Sequence, residues 1–390
     1  MKKVLMIFFP VILLIFFALP AFAVNGQVII TKDNACFDKW YRTVEQDTSK
    51  IPATQFVLKK EYFSILLFTR DYQVNPDQTA DVEYNIRITG PDGRIYLERQ
   101  KLRALASDTP NPTPVSLSKD NLTLCFAADD KTGEYIVDVD IKDNIAKKST
   151  HQKASVKLTD FVYQPLFTDI PSLSDWMNSY HKNPSPEKAV DAFIMYAQVM
   201  LGERRTAFFP TLAFFLEIFN SHDYLYPSLM NLYDSQNVTA KTCIIYLLRY
   251  GNYDPGFLTH KMSKEEYDTY QRLLKENLPD PYGEINNPSQ LDILWGIFKG
   301  SGSYKPVKKI IDILSLSEYK GCQTKYKTSE KTDEDRQKAI WDTIYQAAFS
   351  SLKKNSAQFP LVKDYCAYAY ENEELPERVK AELQEILVDS

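Results

Sequence analysis

The chain reads as an α+β protein of two parts, an antiparallel β-sandwich followed by an all-α, solenoid-like domain of stacked helix pairs. Three observations predict this. Apolar residues alternate with a period of two in segments up to about residue 163. From Asp175 onward they recur with a helical period. A short apolar leader precedes both and must be set aside before either half is averaged. The expected division is 1–23 for the leader, 24–165 for the β domain and 166–390 for the helical domain.

Lys2 and Lys3 open the leader, Val4 to Leu19 is almost wholly apolar, and Ala21-Phe22-Ala23 ends it with small residues at alternate positions. That is the pattern of a signal peptide with its cleavage site. The alternative is a retained anchor, but the run is short for a hydrocarbon core of about 30 Å and Pro10 interrupts it. The expectation is export by the general secretory route, to the periplasm or outside the cell. No Cys follows the cleavage site, so no lipid attachment is expected there. No later run approaches a membrane span, since Phe208 to Phe219 is short and carries Pro210 and Glu217.

In the β part, Ala80, Val82, Tyr84, Ile86 and Ile88 alternate with Asp81, Glu83, Asn85 and Arg87, a strand with one wet face. Pro91-Asp92-Gly93 turns the chain into Ile95-Tyr96-Leu97. Other strands are expected at Gln27–Thr31, Tyr62–Thr69, Asn121–Ala127, Gly133–Ile141 and Ala154–Leu158, with a proline-rich break at Ser107–Pro114. Asp130-Lys131-Thr132-Gly133-Glu134-Tyr135 runs into the strand whose one face is Tyr135, Val137, Val139 and Ile141. Asp130, Gly133 and Tyr135 resemble the tyrosine corner of immunoglobulin-like domains, in which the Tyr hydroxyl bonds back to upstream backbone. The position of the immunoglobulin cysteine is Val137, so the resemblance is to the architecture without its inter-sheet disulfide. A plain hairpin turn with an exposed Tyr135 is the competing reading.

In the helical part, prolines mark starts. Ser185-Pro186-Glu187 reads as a capped start, with Val190, Phe193, Ile194 and Ala197 on one face. Further helices are expected at Thr211–Asn220, Thr239–Tyr250 closed by Gly251, Ser263–Asn277 with a capping box, after Asn287-Pro288, from Pro306, from Thr332 through Lys353, near Pro360, and over Pro376–Leu387. Leu291, Leu294, Trp295 and Phe298 form one apolar stripe, with Asp292 beside it and Gly300 and Gly302 permitting a tight turn. This arrangement around Asp292, Trp295 and Phe298, followed by a second helix, resembles a recurrent element in a family of uncharacterised exported bacterial proteins. The resemblance implies a helical half and carries no activity.

Composition excludes more than it selects. With 46 Lys plus Arg against 51 Asp plus Glu, the chain of 390 residues carries a net charge of −5, which argues against a nucleic-acid partner. Gly300-Ser301-Gly302-Ser303 follows a helix and lacks the Walker spacing, so a helix–helix turn is expected there. The four histidines, His151, His181, His222 and His260, stand apart in sequence and read as solvated imidazoles. Asp292 reads as a buried carboxylate bonded to a neighbouring helix end, and Glu203-Arg204-Arg205 as a charge cluster or an anion clamp. No catalytic residue, cofactor or metal site is nominated.

The five cysteines, Cys36, Cys125, Cys243, Cys322 and Cys366, leave one thiol unpaired if two disulfides form. Cys36 with Cys125 is the pairing ranked first. Cys243 reads as a small buried apolar residue. Tyrosine is the compositional signal nearest to function, since 18 of the 25 lie in the helical half. Tyr365, Tyr368 and Tyr370 share one short helix and are the candidate binding surface; the alternative is that these rings bridge core and solvent. The leading expectation is a non-catalytic binding or scaffold protein whose partner is another protein or an envelope component. An envelope hydrolase using carboxylates of the helical domain, and a chaperone-like protein working by β-augmentation, are the alternatives.

Overall fold

The computed structural model describes residues 24–44, 46–110, 115–199, 208–276, 280–326 and 332–389. The leader, the Glu203-Arg204-Arg205 cluster and the end of the proline-rich break lie outside the described residues.

The first half is two sheets. β1 (Asn25–Thr31), β6 (Val115–Leu117) and β7 (Leu122–Cys125) all pair antiparallel with β3 (Tyr62–Arg70). The second sheet runs in the order β2 (Phe56–Leu58), β9 (Lys148–Thr159), β8 (Gly133–Asp143), β4 (Thr79–Thr89) and β5 (Ile95–Pro110). One pair departs from the expected antiparallel pattern: β2 lies parallel to β9. β2 and β6 escape the periodicity because three residues cannot display an alternation.

The two sheets share one apolar core. Phe63, Ile65 and Leu67 of β3 meet Val82, Tyr84, Ile86 and Ile88 of β4 and Val137, Val139 and Ile141 of β8. Those of β4 and β8 are the residues whose alternation marks the strands in the sequence, whereas β3 is apolar from Ile65 to Phe68 and buried on both faces. The corner residues hold the start of β8. The Tyr135 hydroxyl donates to the Lys131 carbonyl at 3.0 Å, and its buried ring packs on Phe126 and Tyr96. Asp130 accepts from the Ala127 N–H at 2.7 Å and the Tyr96 hydroxyl at 2.9 Å. Gly133 has a φ of +141°, and a Cβ there would lie 2.7 Å from Pro91.

The opposite face of the four-stranded sheet is also buried. The short helix α1 (Cys36–Tyr41) lies over it, with Cys36 and Trp40 in one cluster with Ile29, Leu66 and Phe68. No period in the sequence marks this helix, which is held by Trp40 stacked edge-on against Phe68.

The helical half has two apolar clusters. The first joins α2 (Ile170–Ser179), α3 (Ala189–Val199), α4 (Phe208–Ser221), α5 (Leu225–Asn231), α6 (Val238–Tyr250) and α7 (Lys264–Lys275). The second joins α8 (Ser289–Ser301), α9 (Tyr304–Ile313), α11 (Asp333–Gln358), α12 (Pro360–Asn372) and α13 (Glu377–Asp389). The short α10 (Cys322–Tyr326) abuts α11. The expected capping box of Ser263 with Glu266 forms, and Thr332, expected only as a helix start, forms a second one with Asp335. The start at Ser185 differs. Residues Pro186–Lys188 form a 3₁₀ turn, and the Ser185 hydroxyl accepts from the Trp176 indole at 2.8 Å instead of capping.

The stripe Leu291, Leu294, Trp295 and Phe298 is buried as its spacing predicts. Gly300 does not sit in the turn. It and Gly296 lie within α8, where a Cβ would come within 2.6 Å of the Phe214 carbonyl and 2.1 Å of the Pro210 carbonyl. Their missing side chains let α8 lie directly on the backbone of α4, which joins the two helical clusters. Gly302 alone makes the turn, as the left-handed cap of α8 with φ +69°.

Candidate functional site

The β half and the helical half meet along a seam centred on the segment between β1 and α1. Thr31, Lys32, Asp33 and Lys39, together with Glu61 from the β2–β3 turn, are all buried there. Asp33 is oriented by its own chain, its carboxylate accepting from the Ala35 N–H at 2.9 Å. The Lys39 ammonium donates to that carboxylate at 2.5 Å and to the His181 carbonyl, just beyond α2, at 2.6 Å. Glu61 accepts from the Leu58 N–H at 2.7 Å and from the Tyr224 hydroxyl at 3.4 Å. Lys32 stands 3.6 Å from Glu61 and 3.3 Å from Glu187, so one cation faces a carboxylate from each half.

Burial governs the protonation of this side of the seam. It raises the Asp33 carboxyl despite Lys39 beside it, and it raises Glu61 to about 7 despite Lys32. It lowers His181 and His222 to about 3, with the positive charges of Lys39 and Lys32 respectively acting in the same direction. His181 lies between the rings of Phe298 and Phe359, each 5.2 Å away. Neither of its ring nitrogens, nor Nδ1 of His222, forms a well-aligned hydrogen bond with a described residue. The nearby Cys36 thiol is pushed up to about 12 by burial and then by Asp33, which disfavours its thiolate. Among the described residues no three His, Cys, Asp or Glu side chains gather to hold a metal.

The seam has an open side as well. There Tyr41 of α1 and the following Thr43, Val44 and Gln46 face Tyr368 and Glu371 of α12 across a groove of about 520 Å³. Tyr41 and Val44 are half exposed, at 51% and 49%. The hydroxyls of Tyr41 and Tyr368 form no hydrogen bond with a described residue. The two walls are fixed relative to one another. Asp38 accepts from the Tyr304 N–H at 2.9 Å, Arg42 lies over the Tyr304 ring at 5.0 Å, and Lys50 pairs with Asp364 at 3.0 Å. Tyr304 in turn stands edge-on to Tyr368.

The residues singled out in the sequence are distributed unevenly over this picture. Of the three tyrosines on α12, Tyr365 is not a surface residue. It is fully buried, and its hydroxyl donates to the Gly302 carbonyl at 2.8 Å. Tyr368 and Tyr370 are half-buried, and Tyr368 lines the groove. Residues three apart share a helix face, so spacing does not separate Tyr365 from Tyr368; the turn at Gly302 covers the first, and the second stands at the groove. Cys36 and Cys125 are both free thiols, as are Cys243, Cys322 and Cys366. Cys125 stands opposite Tyr62, four residues along β3 from the Leu66 with which Cys36 clusters. That is roughly 13 Å of strand, beyond the reach of a disulfide.

Asp292 is exposed and not bonded to a helix end. With Trp295, Lys299 and Met177 it lines a shallow depression of about 400 Å³. Phe298 is buried in the second helical cluster. Of the histidines, His151 is exposed and lies between Asp138 and Asp140, and His260 is exposed. His181 and His222 are buried, contrary to the expectation of solvated rings. The sequence reasoning missed Lys32, Asp33, Lys39 and Glu61 entirely. Charged residues in turns read as solvated, and only the short spacing of Lys32 and Asp33 after the apolar Val28-Ile29-Ile30 hints at a covered site.

Among the described residues no helix is long and apolar enough to cross a membrane. No family model matches the chain, and no curated protein matches it in sequence. Two solved structures have segments similar to it at 10% identity. One is a family 123 glycoside hydrolase from Clostridium perfringens, matched over 44% of this chain and 36% of that one with a TM-score of 0.22. The other is the α2-macroglobulin of E. coli, matched over 94% of this chain and 25% of that one with a TM-score of 0.20. The chain therefore spans about a third and a quarter of their lengths, and scores of this size carry neither a shared fold nor a shared activity.

Proposed function

We propose that the protein is an exported, non-catalytic binding protein that grips a segment of another protein in the groove between its two halves. The β half is read as an immunoglobulin-like sandwich and the helical half as a solenoid-like platform. The observation that supports this reading is the pair Tyr41 and Tyr368. They come from different halves, face one groove, and leave their hydroxyls unbonded to any described residue. Rigid rings with a polar tip cover area at a small entropic cost, which suits recognition of an extended polar chain. Val44 adds an apolar contact, and Gln46, Glu371 and Asn372 supply hydrogen-bonding groups for a peptide backbone.

The hydrolase reading has less support, because the buried carboxylates of the seam, Asp33 and Glu61, are each paired with a lysine. The β-augmentation reading needs a bare strand edge. The outer edge of β5 carries Glu98, Arg99 and Lys101 and several register shifts against β4, features that blunt edge pairing. Export is supported by the leader at 1–23. The test is crosslinking in intact cells with the wild type and a Tyr41→Ala, Tyr368→Ala double variant. The reading expects a stoichiometric protein partner that the double variant loses while its fold is retained. Equal capture by both proteins contradicts it.

A further inference from the structure

A second cavity lies away from the groove, between α4 and α8, with a volume of about 280 Å³. That is near the lower end of ligand-pocket sizes, and an apolar cavity of roughly 150 Å³ already admits benzene. Leu212 and Leu216 of α4 and Ile293 and Ile297 of α8 form its apolar walls. Tyr250 adds a phenol to the carboxylate and amide lining groups, which are Glu217, Asn220, Asp280 and Gln290.

Three of these four have bonds of their own. The Asn220 side-chain oxygen accepts from the Tyr226 hydroxyl at 2.8 Å, Asp280 accepts from the Tyr282 N–H at 2.9 Å, and Gln290 accepts from the Asn286 N–H at 2.7 Å. Glu217 differs. It forms no hydrogen bond or ion pair with any described residue, and burial raises its carboxyl, opposed by the charge of Lys305. Lys305 is exposed and lies over the Tyr282 ring at 4.0 Å, not on the carboxylate. Among the described residues that line the cavity there is no Lys, Arg or His. Glu217 is also held in position, since α8 passes so closely at Gly300 that a Cβ there would lie 3.1 Å from the Glu217 Cβ.

Among the described residues the cavity thus combines an apolar wall and two carboxylates with no cation. We propose that it binds a small amphipathic amine, its apolar tail between α4 and α8 and its ammonium on the Glu217 carboxylate. An acid of the same length would meet Glu217 and Asp280 with like charge, and an alcohol would fill the cavity without an ion pair. This inference rests on observations separate from those behind the groove, and either can fail alone.

The test is isothermal titration calorimetry of the full chain with octylammonium, octanol and octanoate. Octylammonium is expected to bind saturably, and at least tenfold more tightly than octanoate. Glu217→Gln is expected to weaken octylammonium about tenfold, to the level of octanol, the effect of losing one hydrogen bond to a charged group. Ile293→Trp fills the cavity and is expected to abolish binding of both the amine and the alcohol, with circular dichroism confirming the fold. Octanoate binding as tightly as octylammonium would overturn the proposal. So would undiminished amine binding by either variant, or no amine binding by the wild type.

Discussion

The seam between the two halves has two sides, and they treat polar groups in opposite ways. On the closed side, Asp33, Lys39, Glu61 and Lys32 are buried and bonded to one another, and His181 and His222 are held neutral. On the open side, Tyr41 and Tyr368 line a groove, and their hydroxyls bond to no described residue. Both sides use the same short helix, α1, with Lys39 facing in and Tyr41 facing out. The difference teaches that ionisable groups at a domain junction need not form a reactive centre. A buried pair removed from water is costly to break and restricts the geometry of whatever lies beside it. Here α1 joins the two sides, its Lys39 in the closed one and its Asp38 holding the open one against Tyr304.

The largest expected effect comes from breaking the closed side. Lys39→Met leaves Asp33 without its cation and the His181 carbonyl without its donor. It is expected to destabilise the protein by about 3 kcal/mol or more in urea unfolding. Adding Asp33→Asn should recover part of that loss, because the two side chains act as one unit. Additive losses would break the comparison.

The next effect is a dependence on pH with two opposed contributions. His222 is held near 3 when folded against 6.5 when free, so its stabilisation is present above about 6.5 and is lost as the pH falls toward 3. Between pH 7 and pH 5 that loss is about 2 kcal/mol. Glu61 is raised from 4.5 to about 7, so its contribution is full below about 4.5 and is lost as the pH rises through 7. It works against the histidines by about 2 kcal/mol over the same interval. His222→Asn should therefore flatten the acid side of the stability profile, and Glu61→Gln should steepen it. Chemical unfolding at a series of pH values reads both.

The smallest effects separate the two tyrosines of α12 that face different surroundings. Tyr365→Phe loses the bond to the Gly302 carbonyl and should cost about 1 kcal/mol of stability. Tyr368→Phe should change stability by no more than about 0.5 kcal/mol, while weakening partner capture. Thermal unfolding combined with a pull-down distinguishes them. If Tyr368 cost more stability than Tyr365, the division into a sealed and an open side would be wrong.

Much of the fold was legible because it is periodic. β4 and β8 show their inner faces in the alternation of apolar and polar residues, and α7 announces its first turn with a capping box. The corner at Tyr135 was legible because glycine and tyrosine each have one local task there. The tight approach of α8 to α4 was only half legible. Gly300 was visible, but a glycine opening a turn and a glycine admitting a neighbouring backbone look alike until the neighbour is known.

The closed side of the seam was hidden for a different reason. Lys32, Asp33 and Glu61 sit in turns, and their burial depends on α2, α4 and the residues about Glu187, between 100 and 200 positions away in the chain. The same holds for His181, which lies between Phe298 and Phe359, two rings far along the chain. Tyr368 was identified with Tyr365 because sequence gives the face of a helix and not what covers it.

The central claim is that the protein recognises its partner at the open side of the seam. A photoreactive phenylalanine analogue placed singly at Tyr41, Tyr368 or Tyr62 tests it most directly. Tyr62 is 56% exposed on β3 and serves as the control away from the groove. The account predicts one crosslinked protein species from positions 41 and 368 and none from position 62. Crosslinking from position 62 alone, or equally from all three, would contradict it.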